Sequence, residues 1–94
     1  MKKVAFEAKL SFAILKEGNR YIAFSPALDL STSGSTEKDA RKRFVEAAQL
    51  FFEETAEAGT LEQALQELGW KKGKSNWNPP VIISQETQTV MVPA

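Results

Sequence analysis

The hydrophobic period of this chain changes at Thr36, and no single kind of element can serve both halves. Ahead of that point Val4, Phe6, Ala8, Leu10, Phe12 and Ile14 alternate with Ala5, Glu7, Lys9 and Ser11. This two-residue repeat lays one apolar row along a long, half-buried strand. Gly18-Asn19, inside Lys16 to Arg20, signals a short hairpin turn, after which Tyr21 to Ser25 resume the pattern with Ile22 and Phe24 set against Tyr21 and Ala23. Pro26 has no N–H to give a ladder, so it ends this strand or marks a bulge before a short third strand over 28–32. Beyond Thr36 the apolar residues Ala40, Phe44, Ala47, Ala48 and Phe51, with Thr55, fall on one helical face, flanked by Val45 and Phe52. The pattern predicts an antiparallel meander covered by one long helix, with Phe44 and Phe51 against the sheet.

A shorter helix follows, with Leu61, Ala64, Leu65 and Leu68 at helical spacing. Thr60 and Gln63 stand in capping-box positions at its start, and Gly69 closes it. Residues 71–80 read as a loop. The stretch from Val81 to Ala94 has β-branched residues at both ends and polar ones between, and predicts a C-terminal strand, either one bent strand or two short ones. The fold class is therefore α+β. An apolar-ended strand at an edge invites a second chain, so the sequence predicts a homo-oligomer, a dimer or a tetramer.

Ninety-four residues leave room for one domain over 1–94, with its core in about 4–70 and the loop and terminal segment in 71–94. Twelve basic and twelve acidic residues cancel, so there is no overall positive field to hold nucleic acid. The absence of cysteine and histidine removes disulfides, thiolate nucleophiles, neutral-pH proton shuttles and the usual zinc ligands. No catalytic, metal or cofactor motif is present. The lysines and apolar residues at the start could pass for a secretion signal, but Glu7 and Lys9 interrupt them. The expectation is a soluble, cytoplasmic protein with no membrane partner.

Two stretches carry candidate sites. The first, Leu28 to Phe44, sets small hydroxyls and a glycine ahead of a helix, as phosphate loops do. It nevertheless lacks both the Lys-Ser/Thr pair of a P-loop and the three spaced glycines of a dinucleotide fingerprint. A structural corner accounts for it better: Pro26 stops the strand, Gly34 supplies a positive φ, and Thr36 caps the helix with Asp39 at the third helical position. Glu37–Arg41 and Asp39–Arg43 pairs would run down its exposed side. In the second stretch Trp70 and Trp77 bracket Lys71, Lys72 and Lys74. Rings interleaved with cations can stack single-stranded bases and follow phosphates, or the rings can anchor a basic loop to the core or to a second subunit. Anchoring is the stronger reading, because tryptophan is largely buried on average and three lysines make a weak footprint.

Ser25, Pro26, Leu28, Gly34, Thr36 and Ala40 together resemble the HicB antitoxin family, whose members run from a strand through Ser-Pro-x-Leu to a Gly-x-Thr turn and a helix. The likeness covers residues 4 to about 70, and Leu61 to Trp70 is similar to the short second helix of standalone members. Leu-Asp-Leu replaces the Pro-Gly-Cys corner of many members. No ribbon-helix-helix or helix-turn-helix segment follows, so direct operator binding is not expected. The resemblance implies a partial RNase H-like fold and a small HicA-like ribonuclease toxin as partner. Nuclease chemistry of the RNase H kind needs carboxylates converging on two metal ions. The two aspartates, Asp29 and Asp39, and the glutamates Glu46, Glu53, Glu54 and Glu57 of the long helix show no such constellation. The functional expectation is a non-enzymatic protein-binding module; the alternative is a small nucleic-acid-binding module using the Trp70–Trp77 loop.

Overall fold

Two antiparallel strands, β1 (Ala13–Glu17) and β2 (Arg20–Ser25), are joined by the two-residue turn Gly18-Asn19, closed by the pair Glu17 and Arg20. Gly18 takes φ 59, which places the left-handed residue first in the turn, as a type II′ hairpin requires. In this computed structural model, which describes residues 6–94, β2 ends at Ser25 and Pro26 opens a tight turn. The third strand, β3 (Leu30–Gly34), begins two residues later than the sequence suggests, because Ala27 to Asp29 are taken up by that turn. It pairs antiparallel with β2, giving the order β1-β2-β3.

The apolar alternation ahead of β1 is real but is not a ladder. Phe6, Ala8, Leu10 and Phe12 turn toward the core, while Glu7 and Lys9 face solvent, yet residues 6–12 join no strand. Side-chain periodicity records which face is buried and not whether a neighbouring backbone is there to pair. Val4 and Ala5, the start of that row, lie outside the described residues.

Helix α1 (Glu37–Ala58) crosses the sheet and buries Ala40, Phe44 and Ala48. Phe44 stacks on Phe12 with centroids 4.7 Å apart, and Ala23 on the same side of β2 is fully buried. A small residue there lets the helix come close. One expectation needs correction: Phe51, placed with Phe44 against the sheet, packs on the core but is only half-buried, while the flanking Val45 is exposed.

Gly59, at φ 74, ends α1, and the Gly59 and Thr60 amides return to the carbonyls of Ala56 and Thr55. Helix α2 (Leu61–Glu67) packs Leu65 into the core. The capping box at its start does not form. Thr60 sits at φ −112, ψ 9 with no side-chain bond to the helix, and Gln63 donates to Glu67 instead. Its end is as the sequence suggests, with Gly69 at φ 90 and the Trp70 amide on the Leu65 carbonyl.

Two further corrections concern the C-terminal third. The stretch read as a loop contains a small antiparallel hairpin, β4 (Lys71–Lys72) with β5 (Trp77–Asn78), whose turn is held by the Gly73 amide on the Asn76 carbonyl at 2.7 Å. The C-terminal strand predicted over 81–94 does not form: among the described residues these pair with no strand. β-branched residues favour an extended backbone but cannot supply the partner that makes it a strand. Among the described residues no helix is long and apolar enough to cross a membrane.

Candidate functional site

Both candidate stretches meet at the turn after β2. Ser25 is fully buried, and its hydroxyl donates to the Ser11 carbonyl at 2.6 Å while accepting the Ala27 amide at 3.3 Å. One side chain thus ties the segment before β1 to the turn and supplies the bond that the chain after a proline would otherwise lack. The Asp29 amide reaches back to the Pro26 carbonyl at 3.4 Å, and Asp29 itself holds φ 49, a left-handed conformation tolerated by aspartate. Ala27 and Leu28 are consequently pushed inward and buried.

The Ala27 carbonyl, buried by that turn, accepts the indole N–H of Trp70 at 2.7 Å. Trp70 is 2% exposed, and Phe52 packs edge-on to its ring with centroids 6.1 Å apart. Trp77 is 8% exposed, with the Lys72 ammonium 5.8 Å from its ring centre. Both rings are therefore spent on the interior, and neither offers a free face on which a base could stack. Lys72 also pairs with Glu62 at 3.2 Å, while Lys71 and Lys74 point to solvent. The lysines form an exposed rim on a hairpin whose tryptophans anchor it.

The other end of the corner is the start of α1. Thr36 is extended at φ −137, and its hydroxyl accepts the Asp39 amide at 3.0 Å, the cap that the sequence predicts. The role expected of Gly34 is wrong in mechanism. Its φ is not positive; it lies in β3 beneath the helix start, where a Cβ would fall 2.6 Å from the Ala40 nitrogen and 2.6 Å from the Asp39 Cβ. Glycine is needed there for closeness, not for handedness. Thr32 reinforces the same approach by donating to the Ala40 carbonyl at 3.0 Å. The expected Glu37–Arg41 and Asp39–Arg43 ion pairs do not close, and the Asp39 carboxylate takes the Ser35 hydroxyl at 3.2 Å instead. With its first turn capped from within, α1 has fewer bare amides for an anion.

Charge is divided along the helices. Lys38, Arg41, Lys42 and Arg43 occupy the first half of α1, whereas residues 44–70 hold six glutamates, Glu46, Glu53, Glu54, Glu57, Glu62 and Glu67, and no lysine or arginine. Among the described residues no three carboxylates converge as metal ligands would. An open groove of about 980 Å³ runs between α1 and the extended segment before β1, with Phe6, Leu10, Phe12, Phe44 and Phe52 in its walls. Sequence reasoning missed it, because it arises from a segment that presents a strand's face without a strand's neighbour.

Compared with known proteins, the chain matches no protein-family model, no curated protein and no solved structure.

Proposed function

We propose that this chain is a non-enzymatic binding module of the HicB antitoxin kind, which neutralises a small, basic, HicA-like ribonuclease by forming a stoichiometric complex with it. The observation that carries the proposal is the acidic half of the α1–α2 unit. Six glutamates without a basic residue over 44–70 include Glu53, Glu54 and Glu57 near the C-terminal end of α1, where the helix dipole disfavours negative charge. The dipole works against acids there, and the one bond given to Glu53, from the Gln49 amide at 3.3 Å, is exposed and weak. A basic partner gains from them, through faster encounter and a fixed orientation. The residues that carry the family resemblance support the same reading. Ser25, Leu28, Gly34, Thr36 and Ala40 each hold a defined place in the corner that joins sheet, helix and Trp70. A partial RNase H-like scaffold of this kind would present the helices as a docking face without catalysis, in the cytoplasm and as a homo-oligomer.

The test is co-expression with a short basic reading frame adjacent to its own. Growth and intact RNA should be restored in proportion to the amount of this protein, and Glu46→Lys with Glu54→Lys should weaken the complex more at low salt than at high salt. Gel shifts on the protein's own upstream DNA should vanish by physiological salt, since three lysines on one hairpin release few counterions. Sequence-selective shifts by the protein alone, or RNA cleavage by it with magnesium or manganese, would overturn the proposal.

A further inference from the structure

The described residues carry both halves of a contact that they do not make with one another. One half is the groove between α1 and residues 6–12, with Phe6, Leu10, Phe12 and Phe52 in its walls, Lys9, Glu53 and Glu57 also among its lining, and a bordering backbone that joins no ladder. The other is the extended segment 81–92, whose Ile83, Met91 and Val92 are 92%, 91% and 84% exposed. Large apolar side chains displayed to this degree on one continuous stretch mark an interaction surface. The segment holds one charge, Glu86, with its other polar residues gathered at 84–89, so the apolar ends at 81–83 and 90–92 are the parts that can be buried without desolvating an ion.

Its sequence decides where it can dock. Val81 to Val92 contains no glycine, proline, asparagine or aspartate, and seven of its twelve residues are β-branched valine, isoleucine or threonine. Such a stretch stays extended and has no residue suited to reversing direction. Twelve extended residues span about 40 Å, and the whole chain measures 53 × 27 × 20 Å. Its radius of gyration of 15.9 Å exceeds the roughly 12 Å of a compact chain this long. The segment leaves as an arm.

We infer that residues 81–92 are an exchange arm that lies in the groove of a second copy of this chain, along its residues 6–12, with the second copy's arm returned reciprocally. Two-fold exchange uses one arm and one groove per chain, so it closes at a dimer and leaves neither exposed. The extended backbones of the arm and of residues 6–12 then supply each other with ladder partners, while Val90 and Val92 or Met91 enter the apolar walls.

The chain has no cysteine of its own, so single cysteines can be placed without background. Light scattering should give a mass of two chains at tens of micromolar. Met91→Asp with Val92→Asp should weaken the dimer at least tenfold while leaving the circular dichroism unchanged, because both side chains are exposed within one copy. Ala56→Cys, on the groove wall, should form a disulfide with Val90→Cys, Met91→Cys or Val92→Cys when the two proteins are mixed, giving a cross-linked heterodimer. A monomeric wild-type protein would overturn the inference, as would a dimer indifferent to the arm changes but lost on Leu15→Glu, which lies on the open face of the sheet. An intramolecular disulfide in the double-cysteine chain would show that the arm closes on its own groove. A monomer whose arm changes abolish toxin suppression would assign the arm to that partner. Either result would refute exchange.

Discussion

Replacing Gly34 by alanine isolates the close approach of β3 and α1 from every other feature of the corner. At an ordinary φ, a glycine-to-alanine change stabilises by about 0.4–1 kcal/mol, because it restricts the unfolded chain. Gly34 has such a φ, so backbone conformation alone predicts a gain. The new methyl, however, would meet the Ala40 nitrogen and Asp39 Cβ at 2.6 Å and the Asp39 carbonyl carbon at 2.9 Å. Two of these are backbone atoms that cannot rotate away. Relief requires sliding the first turn of α1 outward, which also strains the Thr36 cap and the bond from Thr32 to the Ala40 carbonyl. Overpacking of this sort costs about 1–3 kcal/mol, so a net loss of about 1–2 kcal/mol remains, or on the order of 5–10 °C in melting temperature for a domain of this size. Urea unfolding at constant slope measures it. Gly34→Asn serves as the discriminating partner: asparagine tolerates a left-handed φ but adds more bulk, so it should be no better than alanine. Unchanged or increased stability of Gly34→Ala, or rescue by asparagine, would refute the close-contact account.

Three further perturbations follow from the same geometry. Thr36→Ala should cost about 1 kcal/mol while Thr60→Ala costs under about 0.5 kcal/mol in denaturant unfolding, because the first hydroxyl holds a helix amide and the second holds none. Trp70→Phe keeps most of the ring but strips the Ala27 carbonyl of its partner, so a loss of about 1–3 kcal/mol is expected, read by the fluorescence of the remaining Trp77. Phe44→Ala should cost about 3–5 kcal/mol and Phe51→Ala clearly less, since Phe44 is stacked and buried whereas Phe51 keeps a wet edge.

Much of the fold was legible because hydrophobic period reports burial directly. The change from two-residue to helical spacing located the sheet and α1, and Gly18, Pro26, Gly59 and Gly69 punctuate the elements where such residues should. The failures share a cause. Periodicity describes one segment, whereas a ladder needs two: residues 6–12 and 81–94 have strand-like patterns but no ladder neighbour among the described residues. Glycine at position 34 signals that something forbids a side chain, and sequence cannot say whether that is dihedral angle or crowding. Thr60 and Gln63 have capping-box spacing, but Thr60 takes φ −112, ψ 9 rather than the extended backbone of a cap, and its hydroxyl bonds no helix amide. Of the candidate site, the tryptophan anchors and the Thr36 cap were visible in advance. The buried hydroxyl of Ser25 was not, since nothing local distinguishes it from a solvent-facing serine.

The bond from the Trp70 indole to the Ala27 carbonyl spans 43 residues, and this separation sets an order of events during synthesis. The meander and α1 leave the ribosome before residue 70 does, so the emerging protein passes through a stage in which the sheet can be covered but the Ala27 carbonyl still faces water. At about 5–20 residues per second this stage lasts on the order of seconds. Long-range closure comes late in folding because its entropic cost must be met before the contact forms. A ribosome-bound chain carried on a C-terminal linker, and stalled so that the last residue clear of the exit tunnel lies between 60 and 69, should therefore show protected amides in β2 and α1 but an open corner. That chain would acquire its full resistance to proteolysis only once the hairpin at Trp70 has emerged.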